Sequence, residues 1–230
     1  ADTQPWIQSI SVIPLIMAVI TLFCALCSIS CASVQTDIRY SGGAGSAREK
    51  VLETLEATIV SQRIQYNPEQ LKRTQADIEA TLREPSTDSS YLARLHALSA
   101  DVYLLQRQPN EARKQLAAAK QQNEYDEYVQ LVSARLISDP EKRRAYLEER
   151  LVQNPTYYRL KAELGGLYFA AQDYRNALAA FDASLSFLPG GYRQLYGKQR
   201  EQSLQLYTID GASIRKSSEK ILQTPQLSLV

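Results

Sequence analysis

Residues 160–189 carry small and large side chains at the spacing that two closely packed antiparallel helices require. Gly165 is followed three residues later by Tyr168, and Ala177 precedes Phe181 by four residues. Small residues let two helix backbones approach closely, and the neighbouring aromatic rings fill the space beside them. This stretch predicts a helical hairpin, and it constrains the fold more than any other part of the 230-residue chain.

The same stretch ends at Pro189 and follows the order L-G-x2-Y…A-x3-F…P, which resembles the tetratricopeptide repeat. Lys161 stands where that pattern has tryptophan. Pro155 precedes Pro189 by 34 residues, which is the period of this repeat. The resemblance implies a solenoid of antiparallel helix pairs, whose partners usually lie in a concave groove lined by the first helix of each pair.

The rest of the body predicts further helices. A degraded copy of the repeat has its small, aromatic and large residues at Ala100, Tyr103, Ala112, Leu116 and Ala119. In the middle copy, Arg143 stands where a small residue is preferred. Helices are expected to begin at Asn67-Pro68, Asp139-Pro140 and Asn154-Pro155, because each pair joins a capping side chain to a proline suited to the first helical position.

The sequence therefore predicts an all-α fold, with a TPR-like solenoid over residues 47–210. A flexible linker is expected at 34–46, where the segment SGGAGS lies, and a short helix with a tail at 211–230. A helix from Tyr192 to Tyr207 is expected to cover the last apolar face of the array. No alternating apolar pattern that would favour a strand occurs beyond the N-terminal segment.

Residues 1–33 predict a lipoprotein signal or a membrane anchor. Ile10–Cys27 is almost entirely apolar and is close to the shortest length that spans a bilayer. Small residues follow, as they do at a signal cleavage site, and Ser30-Cys31 resembles a loose bacterial lipobox, so lipid attachment is predicted at Cys31. An uncleaved membrane helix and an ordinary cleaved signal are the alternatives. The resemblance to bacterial envelope lipoproteins implies a lipid-anchored chain facing the periplasm, with the choice of membrane left open.

The body lacks the residues that catalysis or a metal site would need. All three cysteines precede residue 32, His96 is the only histidine, and neither G-x-S-x-G nor a phosphate-binding loop occurs. The 26 basic residues are balanced by 25 acidic ones, so no overall positive field favours nucleic acid. We therefore expect no catalysis, no cofactor, no metal site and no nucleic-acid partner.

Carried onto this chain, the resemblance gives seven candidate partner-binding residues in the groove: Arg94, Asp101, Tyr125, Tyr128, Arg135, Arg159 and Phe169. Arginines between aromatic rings suit an amphipathic helix or an extended peptide with acidic residues. Charge reversal at Arg135 is expected to weaken partner capture without unfolding the chain. The alternative is that these aromatic side chains pack against the following helix pair.

The Lys and Asn residues that clamp an acidic peptide C-terminus in some members of the family are absent here. The corresponding positions hold Ala162 and Gly166, or Tyr128 and Val132, so binding of such a terminus is not predicted.

The functional expectation is a non-catalytic, membrane-anchored adaptor or assembly protein of the bacterial cell envelope, with an envelope protein of unknown identity as its partner. The alternative is a small-ligand or lipid-binding lipoprotein that partners a solute transporter and encloses a cavity lined by tyrosines. Self-association as a homo-oligomer stays open.

Overall fold

A computed structural model of the chain describes the backbone of residues 44–223 and the side chains of residues 47–209. Within that range all regular structure is helical, which confirms the all-α prediction there. A short 3-10 turn, Leu185–Phe187, separates the last two helices. The α-helices in chain order are α1 (Ala44–Ile64), α2 (Pro68–Arg83), α3 (Ser89–Leu105), α4 (Pro109–Asn123), α5 (Glu127–Arg135), α6 (Pro140–Gln153), α7 (Tyr158–Ala170), α8 (Tyr174–Asp182) and α9 (Gly190–Gln223).

Helices α3 and α4 form an antiparallel pair. The His96 Nδ1 atom lies 2.9 Å from the Gln115 Oε1 atom, and the Asn123 side chain donates to the Ser90 hydroxyl at 3.3 Å. Residues nearer the start of α3 therefore contact residues nearer the end of α4. The short connection between these helices leaves no other arrangement for two elements packed along their length.

Helices α7 and α8 form the hairpin that residues 160–189 predict. A Cβ atom added at Gly165 would lie 2.7 Å from the Phe181 ring, so only glycine allows the ring to sit against the α7 backbone. Nearer the turn, the Phe169 and Tyr174 rings meet edge to face with their centroids 5.9 Å apart. The small residue and the aromatic ring thus meet as the spacing requires.

The turns that close these two pairs have the same geometry. Arg107 and Gln172 each adopt a left-handed conformation, with φ of 60° and 61°. In each turn the next amide reaches back to a tyrosine carbonyl, at Tyr103 (2.8 Å) and at Tyr168 (2.9 Å). This hydrogen bond and the left-handed residue are those of a Schellman helix ending, which normally favours glycine.

Two of the three predicted helix starts are confirmed, and one is wrong. The Asn67 and Asp139 side chains each accept two backbone hydrogen bonds at the start of α2 and α6. Helix α7, however, begins at Tyr158 rather than at the preceding proline. The chain there first makes a turn, in which the Tyr157 amide donates to the Asn154 carbonyl at 3.2 Å.

Other boundaries also differ from expectation. Helix α1 begins at Ala44, inside the predicted linker, and α9 runs unbroken from Gly190 to Gln223, where two shorter helices are expected. In the middle pair, the Arg143 guanidinium turns back and donates to the Ile137 carbonyl at 2.7 and 2.9 Å, covering the end of α5. A large side chain is accommodated there because it caps the neighbouring helix.

The predicted anchor at 1–33 and its Cys31 lie outside the described residues. Among the helices that the structure does describe, none is both long enough and apolar enough to cross a bilayer.

Helix α1 contributes to both apolar cores of the body. Its Leu55 and Ile59 side chains pack into the larger core, which extends from α1 to α7. Val60 instead belongs to the smaller C-terminal core, together with Phe181 and Tyr192. The first described helix is therefore held by elements at both ends of the chain.

Candidate functional site

Eight charged side chains form two rows across the helices, and each row takes one residue from α1, α3, α5 and α7. We call them the Asp101 row and the Glu56 row. The Asp101 row consists of Arg63, Asp101, Arg135 and Glu163, and the Glu56 row consists of Glu56, Arg94, Glu127 and Arg159. Along both rows the sign of the charge alternates from one helix to the next.

The Asp101 row is centred on a carboxylate with no solvent exposure. Asp101 accepts hydrogen bonds from the Arg63 guanidinium, from Arg135 Nη1 at 2.8 Å and from the Tyr128 hydroxyl at 2.9 Å. Arg135 also donates to Glu163 Oε2 at 2.8 and 3.0 Å. Buried charges are tolerated only when they are paired and hydrogen-bonded, and this row meets both conditions.

The Glu56 row is built around two forked arginine–carboxylate pairs. Arg159 donates to both oxygens of Glu56, at 2.6 and 2.9 Å, and to Glu127 at 2.7 Å. Arg94 donates to both oxygens of Asp126, the N-cap of α5, and its Nη1 atom lies 3.9 Å from Glu56. The Glu56 side chain is only 3% exposed, so these contacts replace nearly all of its water.

The electrostatics of the Asp101 row fix the protonation of its members. Burial alone would raise the pKa of Glu163, but the guanidinium groups of Arg135 and Arg63 outweigh it and lower that pKa to about 2. Burial would lower the pKa of Arg135, yet Asp101 and Glu163 hold it well above its ordinary value. Burial and Asp101 both raise the pKa of Tyr128. Glu163 and Arg135 therefore stay charged at neutral pH, and Tyr128 keeps the proton that it donates.

Helix α1 supplies one end of the Asp101 row and a carboxylate inside the Glu56 row, between Arg94 and Arg159, and it lies on the surface formed by α3, α7 and the start of α9. Its contacts with α3 advance in the same direction along both helices, since Arg48 lies over the Tyr91 ring at 5.3 Å and Arg63 pairs with Asp101. Val60 packs on Gly191, where an added Cβ atom would lie 3.3 Å from Val60 Cγ1. The first helix that the structure describes therefore occupies the surface that the sequence predicts as a partner groove.

The structure brings five of the seven candidate residues together in or beside these rows: Arg94, Asp101, Tyr128, Arg135 and Arg159. The other two lie elsewhere. Tyr125 is 65% exposed, and Phe169 is half-buried against Tyr174. The partner-binding role of all seven stays a prediction.

The burial of Arg135 argues against the expectation that its charge can be reversed without unfolding the chain. Its side chain is only 5% exposed and pairs with both Asp101 and Glu163, so reversal of its charge would place three like charges together in the interior. A variant of this kind would lose stability, and any loss of partner capture could not be assigned to the groove.

Sequence reasoning missed Glu56, Arg63, Glu127 and Glu163. One signal was available. Glu56 precedes Arg63 by seven residues, and Arg94 precedes Asp101 by seven residues with the opposite order of charge. Seven residues make two helical turns, so two adjacent helices running in the same direction would pair both sets at once.

The larger clefts of the described region are open and polar. The one between α1 and α2 has a volume of about 510 Å³ and is lined by residues such as Thr54, Thr58, Gln70 and Asp77. The cavity lined by tyrosines that the alternative function requires finds no support in these clefts. In the part of the chain that the structure describes, no group of three His, Cys, Asp or Glu side chains could hold a metal ion.

Comparison of this chain with protein-family models, with curated proteins and with solved structures found no match.

Proposed function

We propose that the chain is a non-catalytic adaptor of the bacterial cell envelope, a helical-repeat protein that is held at a membrane by its N-terminal segment and binds a protein partner. The observation that carries this proposal is the surface made by α3, α7 and the start of α9. This surface forms ion pairs with a docked helix and buries its apolar side chains. In the structure the docked helix is α1. A surface that binds one amphipathic helix is suited to helical or extended peptide partners.

The repeat assignment has two supports. The α7–α8 pair has its glycine against the aromatic ring that the repeat pattern specifies. The turns after α3 and α7 also share their left-handed residue and their hydrogen bonds. Recurrence of one turn geometry at Arg107 and Gln172 is expected if both pairs derive from the same unit.

The experiment is photocrosslinking in intact cells from an introduced photoreactive residue at Tyr125, which is exposed beside the start of α5. The matched control carries the same residue at Val152, which is 82% exposed near the end of α6. An envelope protein captured from Tyr125 alone would support the proposal. Identical products from both positions, or capture only of cytosolic proteins, would contradict it.

The membrane attachment has a separate test. Labelled palmitate is expected to enter the chain, and replacement of Cys31 by serine is expected to abolish the labelling. Labelling unaffected by that replacement would remove the lipoprotein part of the proposal and leave the adaptor part standing.

A further inference from the structure

Helix α1 binds the surface formed by α3, α7 and the start of α9 in the manner of a ligand. Its buried residues lie on one face, at Leu52, Leu55, Glu56, Ile59, Val60 and Gln62, and the partly exposed Arg63 continues that face. This is the stripe of an amphipathic helix, with a carboxylate and a guanidinium placed two turns apart within it. Glu56 and Arg159 are 103 residues apart in the chain, so the contact is made across the fold and not within a local hairpin.

The contact between α1 and its sequence neighbour α2 is apolar and neutral: Leu55 and Leu71 share the larger core, and the Gln62 amide donates to Gln70 Oε1 at 2.7 Å. The open polar cleft of about 510 Å³ is lined by side chains of both helices. A second cleft of about 300 Å³ lies beside the connection, where Gln62, Tyr66 and Gln70 face it. Helix α1 therefore makes its ion pairs with α3 and α7, whereas its polar side-chain contact with α2 joins neutral groups.

The helical structure of α1 also depends on its contact with this surface. The segment Thr58-Ile59-Val60 consists of β-branched residues, which are poor helix formers. Thr54 and Thr58 bond to the carbonyls four residues earlier, as side chains that compete with helix hydrogen bonds do. Away from the surface, α1 would lose much of its helicity, and a better helix of the same chemistry would compete with it.

We propose that α1 is a displaceable resident of the binding surface, and that the protein partner is an amphipathic helix of the same chemistry. This inference rests on the adaptor function proposed above. The partner helix carries an apolar stripe, a carboxylate that takes the place of Glu56 between Arg159 and Arg94, and, seven residues further on, a guanidinium that reaches Asp101. Partner binding then requires α1 to leave, so the free protein is in a closed state.

An engineered disulfide can hold α1 on the surface for this test. Val60 Cβ lies 3.7 Å from the position of a Cβ atom at Gly191, which is the separation found across disulfides. Cysteines at both positions, in a full-length chain with Cys24, Cys27 and Cys31 replaced by serine, would hold α1 in place when oxidised and release it when reduced. The single variant Val60→Cys in the same background controls for effects of the redox conditions.

The probe is a fluorescent peptide of residues 47–65, and its binding is followed by anisotropy. The reduced protein is expected to bind it at least tenfold more tightly than the oxidised protein, because the disulfide prevents α1 from leaving, whereas in the reduced protein the peptide competes with α1 at an effective concentration in the millimolar range. A peptide with Glu56 and Arg63 exchanged has the same composition and is expected to bind at least tenfold more weakly. Equal binding by the oxidised and reduced proteins would overturn the proposal.

A second variant keeps the test independent of the cysteines. Glu56→Gln weakens the seat of the resident helix while preserving its shape. It is expected to raise peptide affinity at least tenfold over wild type and to let the peptide raise the melting temperature. Circular dichroism establishes that the variant is folded, and a folded variant that fails to bind would also refute the proposal. Cross-links from Tyr125 in cells are independent of both results, so failure of displacement can be told from failure of the adaptor function.

Discussion

Replacement of Asp101 by asparagine tests whether the buried rows hold the helices together. The substitution keeps the shape of the side chain and removes one negative charge from a position with no solvent exposure. Arg63 loses its only carboxylate partner among the described residues, whereas Arg135 keeps Glu163. The amide oxygen can still accept the Tyr128 hydroxyl, so the change falls mainly on the two guanidinium groups.

The magnitude follows from these contacts. Removing one partner of a buried ion pair costs about 3–5 kcal/mol, because the remaining charge stays buried without compensation. The lower end applies here, since one of the two arginines retains a partner. We expect the free energy of unfolding to fall by about 3 kcal/mol. With a denaturant slope of about 2 kcal/mol/M, the urea midpoint would move down by about 1.5 M.

The assay is equilibrium urea unfolding followed by circular dichroism at 222 nm. The control is Asp182→Asn, since Asp182 pairs with Arg200 at an exposed site where the two side chains are 48% and 39% exposed. Exposed pairs contribute less than about 1 kcal/mol, so the control should unfold close to wild type. The double variant Asp101→Asn/Arg63→Gln should lose less than the sum of its single variants, because the second change removes the unpaired charge.

A loss below about 1 kcal/mol for Asp101→Asn, or a loss equal to that of Asp182→Asn, would refute the reasoning. Either result would mean that water reaches the row and screens its charges. Full additivity in the double variant would separately contradict the direct pairing of Arg63 with Asp101.

Four further predictions concern single positions. Gly165→Ala should lower the free energy of unfolding by about 1–2 kcal/mol, because its methyl group would press on the Phe181 ring. Gly197→Ala in the interior of α9 meets no atom within 4 Å and should raise it by up to about 1 kcal/mol; the opposite order in thermal melts would contradict both. Glu163 has its pKa lowered to about 2 in the folded protein against an ordinary value of 4.5, so its contribution is fully present above pH 4.5 and is lost as the pH falls towards 2. Glu163→Gln should reduce the loss of unfolding free energy as the pH falls from 4.5 towards 2. An unchanged loss would show that another group controls it. Gln172→Gly should raise the melting temperature slightly, by relieving a left-handed φ of 61° at about 0.5–1 kcal/mol, whereas no gain would mean that the turn is unstrained.

Much of the local structure could be predicted from the sequence because its causes are local. Asn67 and Asp139 cap helices through their own backbone neighbours, and Gly165 meets Phe181 across a single turn. Each of these signals lies within 20 residues. The start of α7 was predicted wrongly, because proline after a capping residue also fits the turn that precedes Tyr158.

The candidate site could be predicted only in part. The family resemblance pointed to positions such as Arg94 and Asp101, and the fold does bring them together. It could not indicate that Glu56 would pair with Arg159, since a contact over 103 residues leaves no periodic pattern in the chain. The exposure of the predicted groove residues was also misjudged. A groove is open only if no other part of the protein fills it, and α1 fills this one.

The position of α1 has a consequence for how the protein is made. Helix α1 leaves the ribosome early, but its seat is complete only when Tyr192 and Gly191 follow, about 130 residues later. At roughly 5–20 residues per second, about 6–25 s pass between the synthesis of Val60 and that of the α9 residues that cover it. The helix hairpins close as they emerge, whereas the docking of α1 must come last. A nascent chain stalled before α9 would therefore carry a complete set of hairpins, with α1 lacking the cover that Gly191 and Tyr192 give to Val60.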